Sequence, residues 1–365
     1  MYINDQRIVL TLDAGGTNFV FSAVQAYREV GEHFVLPAVS DDLGKCLEQL
    51  VYGFETIKST LDTEPVAISF AFPGPADYRN GIIGDLPNFK AFRDGVALGP
   101  YLHAKFKIPV YTNNDGNLFA YGEALHGALP MVNYWLTNTG NPKRYSNLLG
   151  ITLGTGFGAG VVINKVLLTG DNGCGGDVWI MKNKKYPDRI VEESVSIRAV
   201  KRVYQELSGQ DASDLTPKDI FDIAEGNIQG NRDAAIRSFE EMGEMIGDIM
   251  TYALTLVDGI LVIGGGLTGA SKYILKGVMK EMKGNISMFS GASFSKTQMD
   301  VYNLMDEEDK NKFLQNEDIQ VKIPGSDDLV HYNKTKKTGI VISHIGTSEA
   351  VMYGAYAYAL QQLDS

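Results

Sequence analysis

The sequence predicts a two-lobed α/β fold, each lobe a mixed sheet flanked by helices, with a cleft between the lobes. Three observations carry that expectation. "VLTLDAGGTNFVFSAV" at 9–24 and "NLLGITLGTGFGAGVVINKVLL" at 147–168 each read as a strand, a glycine-rich turn and a returning strand. Apolar strand patterns then alternate with helical ones in both halves, as α/β units require. Finally, 365 residues exceed the length at which one hydrophobic core stops growing.

Taken in order, residues 7–13 and 18–24 form the first two strands and 33–39 a third. A helical period follows over 42–61. "PVAISFAFPGP" at 65–75 is an apolar strand stopped by its Pro-Gly-Pro turn, because proline lacks a ladder donor. "GPYLHAKFKIPVYTNNDGNLFAYGEALHG" at 99–127 gives a helix, a short strand near Val110 and a second helix opening at Asn113 to Asp115. Residues 128–146 read as loop. Helices are expected over 195–207, 217–224 and 232–256; the last has Ile236, Phe239, Met242, Met245, Ile246, Ile249, Ala253 and Leu256 at helical spacing. "GILVIGGGLTGASKYILKGVMKEM" at 259–282 is a strand, three glycines and a helix. Residues 284–338 look polar and irregular, and 339–363 close the chain as strand, turn and helix.

Composition narrows the function. A net charge of -11 disfavours nucleic acid and anionic membrane as partners, since both attract clustered Lys and Arg. The short basic runs at 182–185 and 333–337 read as solvated loops. Cys46 and Cys174 are too few for a disulfide framework or a four-cysteine metal site, and fit a reducing compartment. No signal peptide opens the chain and no apolar run approaches bilayer length, so a cytoplasmic location is expected.

Several residues could carry chemistry. In "DAGGTN" a strand follows the glycines and no lysine does, which sets aside the Rossmann and P-loop patterns. Gly15 and Gly16 could simply turn the hairpin. Alternatively their amides, with Thr17 and Asn18, cradle an anion while Asp13 faces a hydrated magnesium ion. Gly154, Gly156, Gly158 and Gly160 alternate through the second turn and strip side chains from one face, which suggests a second wall around a polyphosphate. Asn114 and Asp115 stand where a strand meets a helix. They read either as a capping pair or as a substrate-orienting amide beside a general base. Asp177 and Glu192 lie near close-spaced glycines and could bind a polyol or stand as surface carboxylates. Gly264, Gly265 and Gly266 could admit a nucleoside or form a plain strand-to-helix turn. No histidines or cysteines sit at zinc spacing, while magnesium held by ATP phosphates would leave no such signature.

The order of "DAGGTN", "NNDGNLFAYGE", "LGTGFGAGVVINKVLLTGDNGCGG" and "VIGGGL" resembles the ROK family of sugar kinases over Val9 to about Leu360. That resemblance implies the actin-like ATPase (ribonuclease H-like) fold. It implies an N-terminal lobe over 1–126, a C-terminal lobe over 127–346, and a last helix, 347–365, packing back on the first lobe. It further implies ATP with Mg2+ as cofactors and Asp115 as catalytic base. Asn88, Asn114, Asp177 and Glu192 would bind the sugar. Asp13, Gly15, Gly16, Thr17, Asn18, Gly154, Thr155 and Gly156 would line the phosphates, and Gly264 to Gly266 the nucleoside. The reaction implied is ATP-dependent phosphorylation of a hexose or hexose derivative, at the 6-hydroxyl, by a homodimer.

Two departures from the family pattern bear on this. The family often follows the Asp177 position with a histidine that touches sugar and a structural zinc, then a cysteine-rich loop; here Val178, Trp179, Ile180 and "KNKKYPD" stand instead. No structural zinc is therefore expected, and the alternatives are a sugar-binding ROK-type regulator and a sugar-binding pseudokinase without turnover. The family's regulators place a helix-turn-helix ahead of the kinase-like part, for which the twelve residues before Asp13 leave no room.

Overall fold

The computed structural model describes residues 1–14, 18–39, 41–84 and 92–365. The elements run β1 (Val9–Ala14), β2 (Asn18–Gln25), β3 (Arg28–Glu29), β4 (Phe34–Pro37), α1 (Leu43–Ser59), β5 (Ala67–Ala71), β6 (Ala76–Asp77), β7 (Ile82–Ile83), α2 (Leu98–Phe106), β8 (Val110–Asn113) and α3 (Asp115–Leu125). Then follow α4 (Ala128–Asn138), β9 (Leu148–Leu153), β10 (Phe157–Ile163), β11 (Val166–Leu167), α5 (Ile197–Ser208), α6 (Pro217–Glu225), α7 (Arg232–Val257), β12 (Ile260–Gly264) and α8 (Ser271–Met282). The chain ends with β13 (Asn285–Ser287), β14 (Ser293–Ser295), β15 (Asp300–Asn303), α9 (Glu307–Leu314), β16 (Asp318–Lys322), β17 (Leu329–Asn333), β18 (Lys337–Ile342) and α10 (Thr347–Leu363). Two compact units result, one of Met1–Gly127, Gly160–Gly176 and His344–Ser365, the other of Ala128–Ala159 and Asp177–Ser343.

In the first unit the sheet order is β3-β2-β1-β5-β8, with β4 also on β2. β1 and β2 are antiparallel, while β1, β5 and β8 run parallel, so three strands end at the same edge. Apolar residues alternate along β2, and Phe19 and Phe21 enter a core shared with Leu50, Phe54, Phe70 and Phe106. The Phe21 and Phe54 rings meet edge to face at 5.1 Å. α10 lies against α3 at near-backbone distance: a Cβ on Gly122 would strike the Ala350 carbonyl, and one on Gly354 the Leu118 carbonyl. Glycine at both positions is what lets the two helices approach.

The second sheet has the order β11-β10-β9-β12-β18-β15, with β12 parallel to β9 and β18. α7 packs its buried Phe239, Met242, Ile246 and Ile249 face in this unit, where Gly243 and Gly277 bring it close to α8, while Leu256, expected on the same face, is exposed near the helix end.

Two sequence expectations are corrected. Residues 128–146 were expected as loop, yet α4 fills 128–138 and buries Ala128, Leu129, Val132 and Leu136 at helical spacing. Pro130 misleads there, because in a first turn its missing N–H removes no helical bond. The stretch 284–338 is not irregular: β13 with β14 and β16 with β17 form antiparallel pairs, and β15 joins the main sheet beside β18. α9 is started by Asp306, whose Oδ1 accepts the Asp309 N–H at 2.9 Å.

Candidate active site

The turn from β8 into α3 is built by three asparagines. Asn114 is extended at the N-cap, and its Oδ1 accepts the N–H of Gly116 at 2.7 Å and of Asn117 at 3.3 Å. Asn113 Oδ1 accepts the Asn114 N–H at 2.8 Å and the Asn117 amide at 3.0 Å. Asn113 and Asn117 are both buried, so this network fixes where Asp115 begins the helix. The capping reading of Asn114 therefore holds in the structure, and its Nδ2 has no protein acceptor among the described residues.

Asp115 opens onto a recess with a cavity volume of about 160 Å³, lined by Asp13, Ala14, Ala71, Phe72, Pro73, Thr347, Ser348 and Val351. These residues come from the carboxyl ends of parallel β1 and β5 and from the start of α10, the edge at which α/β sheets bind ligands. Asp115 is open to water yet seated in dense surroundings. Desolvation raises its pKa first, the amides of Gly116 and of Asp115 itself oppose this, and the negative charge of Asp13 adds to the rise. A carboxylate lifted in this way is a better proton acceptor at neutral pH. Asp13 ends exposed on β1, paired in register with Val20. Asn18 opens β2, and Gly15, Gly16 and Thr17 lie outside the described residues, as does Asn88.

In the second unit the turn between β9 and β10 is held from one side. The Gly154 N–H donates to the Gly156 carbonyl at 3.1 Å, and the Ile197 N–H donates to the Gly154 carbonyl at 2.9 Å. Glu192 Oε2 accepts the Phe157 N–H at 2.9 Å, and a Cβ on Gly156 would lie 2.7 Å from that oxygen. Gly156 is thus needed because Glu192 packs on it, whereas Gly160 is needed by the first turn of α3. Gly264 ends β12, Gly265 has φ of 97° and covers the Leu153 backbone, and Gly266 opens a 3₁₀ turn that precedes α8. Asp177 is exposed before a second 3₁₀ turn, Val178–Ile180. The loop that follows is organised by buried Asn183, which donates to Ser194 Oγ at 2.8 Å and accepts the amides of Lys185 and Tyr186 at 3.0 Å. Among the described residues, no group of three or more His, Cys, Asp or Glu is placed to hold a metal ion.

Sequence reading missed Asn113, Asn117, Thr347, Ser348 and Arg198. The Asn113 to Asn117 spacing across a strand-to-helix boundary was the one local signal available; the others gain meaning only from their neighbours in space.

Residues 9–297 match the ROK family, and the chain belongs to that family. A crystal structure of a glucokinase from Parabacteroides distasonis is 58% identical and superposes with a TM-score of 0.89, covering 99% of each chain. The glucokinase of Thermotoga maritima is 27% identical over 295 residues, which is 75% of this chain and 86% of that one. A ROK glucokinase from Streptomyces griseus, solved with glucose and AMPPNP, shares the fold at 16% identity and a TM-score of 0.60, covering 96% of this chain and 98% of that one.

Proposed function

We infer that this ROK chain is an ATP-dependent sugar kinase that phosphorylates a hexose or hexose derivative at its 6-hydroxyl, with Asp115 as general base. The observation that carries the reading is Asp115 itself, capped by Asn114, fixed by Asn113 and Asn117, and open on a recess beside Asp13. The glucokinase at 58% identity over the whole chain supports it. In the reaction the sugar oxygen bonds to the γ-phosphorus, the bond from phosphorus to the ADP oxygen breaks, and the hydroxyl proton passes to Asp115. Asn88, Asn114, Asp177 and Glu192 are the proposed sugar contacts. Gly15, Gly16, Thr17, Asn18, Gly154, Thr155 and Gly156 serve the phosphates, and Gly264 to Gly266 the nucleoside. Magnesium, when bound, neutralises charge on the transferring phosphate; the exposed Asp13 carboxylate is suited to hold its waters. The protein works as a cytoplasmic homodimer; the exposed apolar face of the β16–β17 ribbon supports the dimer alone.

ADP release measured across hexoses, amino sugars and N-acetylhexosamines tests this. The Asp115→Ala enzyme is expected to lose about 10²- to 10⁴-fold in turnover, the range for a general base. Undiminished turnover would remove Asp115 from that role. Sugar binding without turnover by the unaltered protein would establish the pseudokinase instead.

A further inference from the structure

The contacts that hold the second glycine-rich turn converge on one side chain that the reaction above does not use. Arg198, in the first turn of α5, donates from Nη1 to the Thr155 carbonyl at 3.2 Å and from Nη2 to Glu192 Oε1 at 2.8 Å. Its Nε and Nη2 also donate to Glu193 Oε1, at 3.1 and 2.8 Å. The second Glu192 oxygen takes the Phe157 N–H at 2.9 Å, which closes a ring around Gly156.

The planarity of the peptide gives that ring a consequence. In a trans peptide the C=O of one residue and the N–H of the next point in opposite directions. The Gly154 carbonyl is turned toward the Ile197 N–H and the Thr155 carbonyl toward Arg198, so the amides of Thr155 and Gly156 face away from α5. The amides on either side are already used, Gly154 by the Gly156 carbonyl and Phe157 by Glu192. Thr155 and Gly156 are left as adjacent N–H donors with no protein acceptor among the described residues, the arrangement that receives a phosphate oxygen.

We propose that Arg198 is a positioning residue for ATP: by holding the Thr155 carbonyl and the Glu192 carboxylate, it aims the Thr155 and Gly156 amides at the nucleotide phosphates. The inference rests on the reading of this turn as a phosphate site. Glu192 stays anchored to the turn through the Phe157 N–H without Arg198. Lysine cannot replace Arg198 fully, because a single ammonium lacks the planar fork that reaches both partners.

The test uses the full chain as wild type, Arg198→Ala and Arg198→Lys, with three readouts: KM for ATP, KM for the sugar, and ADP affinity by calorimetry without sugar. Arg198→Ala is expected to raise the ATP KM and weaken ADP binding about tenfold, equivalent to roughly 1.4 kcal/mol. The sugar KM should stay within about twofold, and Arg198→Lys should recover only part of the loss. ADP affinity unchanged in Arg198→Ala overturns the inference, as does a parallel rise in both KM values with a lowered melting temperature. Should the alanine variant not fold, the lysine variant decides by the same ADP measurement: wild-type affinity there overturns the proposal. The calorimetric arm needs no turnover, so failure of Arg198 is distinguishable from failure of the kinase reading.

Discussion

At the scale of single residues, Asp115 shows how placement changes the chemistry of a common side chain. Desolvation by its dense surroundings, with a smaller contribution from the charge of Asp13, raises its pKa above the ordinary carboxylate value against the opposing amides of Gly116 and Asp115. A group whose pKa is raised by folding contributes stability at pH below its unfolded pKa and loses it as pH rises through the folded value. Asp115→Asn is therefore expected to melt higher than wild type at pH 7, the gap closing as pH falls below the unfolded carboxylate pKa. Calorimetric melting at the two pH values checks this; an equal gap at both would show that charge is not the cause. The same site should lose kcat/KM in the wild type as pH falls through the raised pKa. Asn114 and Asp115 were legible in the sequence because strand-to-helix turns concentrate such residues. Asn183 was not, since a lysine-rich run gives no sign that its one asparagine is buried.

Among elements, the pairing of α3 with α10 joins the strand end that carries Asp115 to the helix start that completes the recess. Gly122 and Gly354 allow it, because each faces a carbonyl of the other helix. Backbone cannot give way as a flexible side chain can. Gly354→Val is expected to cost about 3 kcal/mol, at the upper end of overpacking penalties, measured by urea unfolding. A variant within 0.5 kcal/mol of wild type, about the scatter of neutral surface changes, would mean the helices can separate without loss.

On the scale of the whole molecule, the β16–β17 ribbon stands out. Its register puts Ile319 opposite Tyr332 and Val321 opposite Val330, so one face is apolar, and all four side chains are exposed. A two-stranded ribbon is marginal in water by itself. An exposed apolar patch of about 300–600 Å² commonly marks an interaction surface. In the proposed two-fold dimer this same patch would meet itself. The double substitution Val321→Lys and Tyr332→Lys is expected to convert a dimer to monomer in light scattering, with kcat retained. A dimer that persists would place the contact elsewhere.

Local pattern encodes two glycine-turned strand pairs, most of the order of strands and helices, and an Asn-Asp pair at the end of a strand. Period-two and period-3.6 patterns and turn residues act over a few neighbours, and they survive without knowledge of the rest of the chain. Long-range packing brings Thr347 and Ser348 into the recess of Asp13 and Asp115, and sets Glu192 and Arg198 on the turn at Gly156. It also decided that α4 and the two late hairpins form where polar residues and a proline suggested loop. Those outcomes depend on partners far away in sequence, and burial against such partners outweighs local propensity.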